Sequence, residues 1–284
     1  MSVKIIADST CDLSKELLEK YNISILPLHI VLGDKEYKDG FEISPDEIYQ
    51  WSNTNNEAPK TSAVSISDAI ELFDEQLKKY DEIICFSISG QMSTTVNVMR
   101  MAAEELEAED KIHIIDSENL STGGGLLVIE ASIKAKEGKS GKEIVEYIEQ
   151  LRPYVRASFI VDTLTFLHRG GRCSGAAALA GGALKLHPKI MVENGAMKPD
   201  KKYRGKMSSA ILSYAKELEP QLKNAKTDRV FLTHSGCTEE IIQSIYDFLK
   251  ELNLFDEILI TRAGGVISSH CGPGALGVLF IENN

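Results

Sequence analysis

Ile83-Ile-Cys-Phe-Ser-Ile-Ser-Gly-Gln-Met-Ser-Thr-Thr-Val-Asn97 is an apolar run that breaks into small hydroxyl residues just where a helical pattern begins. It reads as strand, polar loop and helix, the repeating unit of a parallel sheet covered by helices. A helix start leaves several backbone N–H groups without intrahelical partners and carries partial positive charge. Ser93, Thr94 and Thr95 there form a candidate anion cradle. The commoner role of a serine like Ser93 is a plain N-cap.

The same alternation extends on both sides. Val3-Lys-Ile-Ile-Ala-Asp8 is a buried strand ending in Asp-Ser-Thr, as strands do at sites on the carboxyl edge of a parallel sheet, although Asp8 also reads as a helix cap. Residues 23–32 and 36–37 read as extended about a Gly33-Asp34 turn, with Pro27 marking an edge. Ser44-Pro-Asp-Glu47 and Ser140-Gly-Lys-Glu143 are capping boxes. Helical spacing covers 13–21, 44–52, 68–80, 93–108, 121–136 and the stretch from 140 to Pro153, with a strand at 112–116. Pro59-Lys-Thr-Ser-Ala-Val-Ser65 reads as a hydroxyl-rich loop, in which Thr61 and Ser62 are not needed to start the next helix. Residues 1–155 therefore predict an N-terminal α/β domain with a parallel-type sheet and flanking helices.

Beyond it come a strand at 158–162, the double-glycine segment Arg169-Gly-Gly-Arg-Cys-Ser174 and a small-residue apolar run over 175–184. That run implies close backbone packing or room for an apolar ligand. A hairpin about Asn194-Gly195 follows, then helices at 208–222 and 238–252 and strands at 229–233, 257–261 and 276–281, with a loop between the last two. Residues 156–284 predict a C-terminal α/β domain with a mixed sheet.

The 284 residues carry a formal charge of −11, which argues against nucleic acid as a partner. The charge is unevenly spread: residues 1–150 hold 14 Lys and Arg against 29 Asp and Glu, and residues 151–284 hold 17 against 13. The densest basic segment is 169–206, with nine cations, either a solvated face or an attractor for an acidic group. No run of about 18 uncharged apolar residues occurs, and Met1-Ser-Val-Lys leads straight into a strand, so a cytoplasmic protein without stable membrane insertion is expected. Cys11, Cys85, Cys173, Cys237 and Cys271 form no C-x-x-C pair, and no metal site is expected.

Familiar motifs fail on context. Gly272-Pro-Gly-Ala-Leu-Gly277 matches G-x-G-x-x-G but opens no helix inside a βαβ unit, and Gly138-Lys139-Ser140 lacks the first glycine of a P-loop. No G-x-S-x-G or H-E-x-x-H occurs. What remains is a set of polar groups in loops: Thr61, Ser62, Ser93, Thr94, Arg204 in Lys202-Tyr-Arg-Gly-Lys206, and His270 in Ser268-Ser-His-Cys271. Together they suit a carboxylate or phosphate. Two function classes fit: a binding protein, or an enzyme acting on a small carboxylate or phosphate through Ser93 or His270.

The motifs Ala7-Asp-Ser-Thr10, Lys60-Thr-Ser62, Ser89-Gly-Gln-Met-Ser-Thr-Thr95, Arg169-Gly-Gly-Arg-Cys-Ser174, Tyr203-Arg-Gly-Lys206 and Gly265 through Gly277, in this order, resemble those of the DegV family of bacterial fatty-acid-binding proteins over essentially the whole chain. The resemblance implies two α/β domains holding one long-chain fatty acid between them, with no further cofactor. It implies a carboxylate lying against Thr61, Ser93 with its neighbour's backbone, and His270, with Arg204 close by. It further implies a carrier, not a catalyst, that presents the carboxylate to a separate ATP-dependent fatty acid kinase for acyl phosphate formation in phospholipid synthesis. Two local departures stand out: Ala63-Val64 where the family usually has Gln-Pro, and Thr94 where it usually has glycine.

Overall fold

The computed structural model describes residues 2–173 and 186–283. In chain order the first half runs β1 (Val3–Asp8), α1 (Lys15–Tyr21), β2 (Ile23–Leu26), β3 (His29–Leu32), β4 (Lys35–Lys38), α2 (Pro45–Asn55), β5 (Lys60–Ser62), α3 (Ile66–Leu77), β6 (Glu82–Ser87), α4 (Thr95–Glu105), β7 (Ile112–Asp116), α5 (Ser121–Lys136) and α6 (Gly141–Leu151). The second half runs β8 (Val155–Ile160), α7 (Thr165–Gly170), β9 (Leu186–Glu193), β10 (Ala196–Arg204), α8 (Met207–Glu217), α9 (Glu219–Leu222), β11 (Arg229–His234), α10 (Glu239–Leu252), β12 (Glu257–Arg262), α11 (Gly265–Cys271) and β13 (Leu276–Ile281).

These elements form a mixed α/β fold with three sheets. A parallel sheet has the order β2-β1-β6-β7, and a six-stranded sheet has the order β10-β9-β8-β13-β11-β12, in which only β11 and β12 run parallel. A small antiparallel sheet, β4-β3-β5, lies beside them. Strands of the parallel sheet are apolar along almost their whole length because helices cover both faces; in β1 every residue after Val3 is buried. Pro27 ends β2, the edge strand of that sheet, and the chain passes into the separate sheet of β3.

Helix α5 holds the two large sheets together. Every residue from Ser121 to Ser132 is buried, so the helix has no polar face over its first three turns. Leu126, Leu127, Val128 and Ile129 share one core with Ile5, Ala7, Ile84 and Phe86 of the parallel sheet and with Val155, Ala157, Phe231 and Leu279 of the mixed sheet. Glycines allow this close approach. A Cβ at Gly125 would lie 2.7 Å from the Cys11 carbonyl oxygen, and one at Gly123 would overlap the Asn119 side chain and come within 3.2 Å of the Ala157 Cβ. One buried charge completes the joint: Glu130 accepts from Arg229 at 2.5 Å, Lys226 at 3.0 Å and the Tyr147 hydroxyl at 2.5 Å.

Three local expectations change in the fold. Lys60–Ser62 is not a free loop but strand β5, paired with β3 through Ile30↔Thr61. The expected loop between β12 and β13 contains α11. Helix α4 begins at Thr95, two residues later than expected. The small-residue run over 175–184 lies outside the described residues.

Replacing Glu130 with alanine would leave the buried Arg229 unpaired, and a loss of about 3–5 kcal/mol is expected. Urea denaturation of Glu130→Ala measures it, and an unchanged midpoint would contradict this account of the joint.

Candidate functional site

The site begins with the segment between β6 and α4. The Ile88 N–H donates to the Asp8 carboxylate at 2.7 Å, and the Gly90 N–H reaches the Asp116 carboxylate at 3.1 Å. A Cβ at Gly90 would stand 2.8 Å from that carboxylate, so a larger residue there would push the Asp116 side chain aside. From the mixed sheet, the β9–β10 turn closes onto the same segment: Ser89 Oγ donates to the Gly195 carbonyl at 2.6 Å and Gln91 Nε2 to the Asn194 carbonyl at 2.5 Å. The loop before α4 is therefore fixed from both sheets.

Ser93 is not an N-cap by position. Thr94 holds that place and makes no side-chain cap bond, while Ser93 Oγ lies 2.8 Å from Thr95 Oγ1 and accepts the Thr95 N–H at 3.3 Å. Across from it, β5 presents Thr61, whose Oγ1 lies 2.8 Å from His270 Nε2 on α11. The His270 Nδ1 is buried and has no hydrogen-bond partner among the described residues, and Gly170 packs so closely on the ring that a Cβ there would overlap Nδ1. Burial, helped by the charge of Arg172, pushes the His270 pKa down to about 4, so the ring is neutral at pH 7.

These groups meet at a cavity of about 440 Å³. Thr61, Ser62, Gln91, Ser93, Thr94, Arg172 and His270 contribute to its polar lining, and Leu28, Ile88, Met92, Leu120, Met197 and Ile267 to its apolar lining. Arg204 is exposed at the end of β10 and is not among the described residues of this lining. The sequence places Arg172 in the basic segment and in the Arg169-Gly-Gly-Arg-Cys-Ser174 motif but gives it no part in the site. Its guanidinium donates to the Gly170 carbonyl at 2.6 Å and to the Met92 carbonyl at 3.4 Å, linking the end of α7 to the loop before α4. The signal available was its place beside Gly170-Gly171, where backbone approaches closely.

Chemically, hydroxyls, a neutral imidazole and one guanidinium face a largely apolar space, an arrangement suited to an amphiphile with an acceptor head. Ser93 and His270 each have a threonine as partner, not each other. The Cys271 thiol, also in the lining, is pushed up to about 12 by burial and is no nucleophile at neutral pH. Among the described residues no cluster of His, Cys, Asp and Glu could hold a metal ion.

A parallel sheet and a mixed sheet joined by one buried helix, with a cleft lined from both halves of the chain, define the class: an α/β protein of two large sheets and one small one, with a cavity of mixed polar and apolar lining. The family model described as "Uncharacterised protein, DegV family" matches residues 2–283, and the chain belongs to the DegV family. A DegV domain-containing protein of Caldanaerobacter subterraneus subsp. tengcongensis is 31% identical over 99% of both chains. A DegV family protein from Thermus thermophilus, whose structure is described as fatty acid binding, is 30% identical, with a TM-score of 0.90 and full coverage of both chains. A stearic acid-binding protein from Eubacterium ventriosum is 28% identical, with a TM-score of 0.83 over 99% of this chain and 98% of that one.

The His270 pKa fixes the sign of a pH effect. Between its ordinary value of 6.5 and about 4, the unfolded chain takes up a proton that the folded ring refuses. The contribution of His270 to stability is thus present above pH 6.5 and lost as pH falls toward 4. Asp8 acts oppositely: burial raises its carboxyl from 3.8 to about 6, so its contribution is present below 3.8 and lost as pH rises through 6. On acidification from pH 7.5 to 4.5 the wild type should lose more stability than His270→Gln, and superimposable denaturation midpoints would refute this assignment.

Proposed function

We propose that this chain is a cytoplasmic carrier that binds one long-chain fatty acid between residues 1–155 and 156–284. In this reading the carboxylate lies against Thr61, Ser62, Ser93, Thr94 and His270, with Arg172 beside it and Arg204 at the approach. The supporting observation is the Thr61–His270 pair, 2.8 Å apart, set in a cavity of otherwise largely apolar lining. The fatty acid named for the similar Thermus thermophilus protein and the stearic acid named for the Eubacterium ventriosum one agree with it in class.

The energetics divide between tail and head. At about 0.8 kcal/mol per buried methylene, a dozen methylenes contribute roughly 10 kcal/mol before the costs of binding. The head-group donors, at about 1.5–3 kcal/mol each, mainly offset removal of a carboxylate from water. The tail sets affinity, and the hydroxyls with His270 set orientation. Among the described residues no nucleophile and base are paired beside that position, in keeping with a protein that hands the carboxylate on. The proposed recipient is a separate ATP-dependent fatty acid kinase, which forms the acyl phosphate; this chain is the carrier and not the catalyst. The cations suited to meet an acidic partner are Lys202 and Arg204, both exposed, because Lys201 pairs with Glu217 and Lys198 with Glu193.

Mass spectrometry of solvent extracts from the purified protein should find one long-chain fatty acid per chain. No bound lipid together with no uptake of added fatty acid would sink the proposal. Thr61→Val, which removes one head-group donor, should weaken fatty acid binding about tenfold, the equivalent of about 1.4 kcal/mol. With a kinase supplied, charge reversal at Lys202 should slow acyl phosphate formation at low salt while leaving fatty acid binding intact. Steady turnover of a carboxylate or phosphate substrate by the protein alone would favour an enzyme instead.

A further inference from the structure

Helix α11 is only seven residues long, about 10 Å, and carries His270 near its carboxyl end. Its amino end has no side-chain cap of its own, since Gly264 and Gly265 stand there. The exposed donors are taken instead by two aspartates from the far end of the chain. The Gly264 N–H donates to Asp12 Oδ1 and the Gly265 N–H to Asp39 Oδ1, each at 2.8 Å. Both carboxylates are anchored in turn: Ser121 at the start of α5 donates to Asp12, and Ser9 donates to Asp39 at 2.9 Å.

This cap is costly. Asp12 is 6% exposed and Asp39 1%, with Asp8 also buried nearby, and burial raises the pKa of both capping carboxyls. A solvent-exposed N-cap serine or aspartate carries no such penalty, but at 264 a Cβ would lie 3.1 Å from Asp12 Oδ1. What the buried pair adds is a fixed position. A Cβ at Gly265 would lie 2.7 Å from Asp39 Oδ1 and 2.8 Å from Ile48 Cδ1, so the helix start sits directly on the carboxylate and the core beneath it. At the other end Ser235 Oγ donates to the Gly272 carbonyl at 2.5 Å. A short rigid helix held at both ends leaves the His270 ring one place to stand, between Gly170 and Thr61.

We infer that Asp12 and Asp39 are positioning residues for the head-group end of the cavity: by holding the amino end of α11 they fix His270 against Thr61. The inference rests on the fatty acid reading of that cavity. Dissociation constants for a long-chain fatty acid and for the fatty alcohol of equal length separate head-group from tail effects. The wild type should prefer the acid. Asp39→Ala should reduce that preference on the order of tenfold while changing alcohol binding less than about twofold. Asp39→Asn, whose amide oxygen still accepts from Gly265, should retain the preference. Asp39→Ala introduced into His270→Ala should reduce it no further, because both changes act through one ring. Equal losses of acid and alcohol in Asp39→Ala, or additive losses in the double variant, would overturn the inference and leave a purely structural cap. Asp12→Ala, which releases Gly264 and the Ser121 hydroxyl but leaves Gly265 on Asp39, carries the same comparison if Asp39→Ala does not fold. A wild type indifferent to acid and alcohol would remove the head-group reading first and this inference with it.

Discussion

The packing of helix α5 between two sheets is the constraint on which the rest of the molecule depends. A helix with no solvent face can be stable only if apolar surface covers it all round, and here the parallel sheet covers one side and the mixed sheet the other. Glycines at 123 and 125 bring the sheets to backbone contact, where larger residues would hold them apart. The chain thereby acquires a core shared by both sheets, and the relative placement of the sheets becomes a matter of close packing.

That placement creates the cleft. The loop from β6 to α4, the short strand β5 and helix α11 come from widely separated parts of the chain. They converge because β1 and β6 are neighbours in the parallel sheet, and because the β9–β10 turn of the mixed sheet closes on Ser89 and Gln91. Backbone donors in this region are bound by buried carboxylates: Asp8 takes Ile88, Asp12 takes Gly264 and Asp39 takes Gly265. The same residues that raise the electrostatic cost of the fold hold the polar lining in place.

Charge is organised at two levels. Inside, Glu130 is matched by Arg229 and Lys226, so the acidic first half and the basic second half of the chain are locked together where they meet. Along the basic segment several cations are spoken for: the buried Lys189 pairs with Asp200, and at the surface Lys198 pairs with Glu193 and Lys201 with Glu217. A count of lysines therefore overstates the field that an approaching partner meets.

Most of the architecture was legible in the residues. Capping boxes at Ser44 and Ser140 marked helices that form as read, Asn194-Gly195 marked its hairpin, and the strand-helix alternation through α6 marked a parallel sheet. Such signals are local, because caps, turns and periodicity act within a few residues. The polar candidates Thr61, Ser62, Ser93, Thr94 and His270 could also be named from the sequence, since small hydroxyls in loops without a core pattern are conspicuous. What the sequence could not contain was the existence of α11, whose cap comes from Asp12 and Asp39, or of β5, whose hydrogen bonds come from β3. Nor could it place Arg172 in the cavity lining and Arg204 outside the described lining, because a guanidinium's position depends on where distant backbone carbonyls stand. Local propensity determined the elements; tertiary packing about α5 decided which of their side chains face one another, since only there are groups remote in sequence brought within hydrogen-bonding distance.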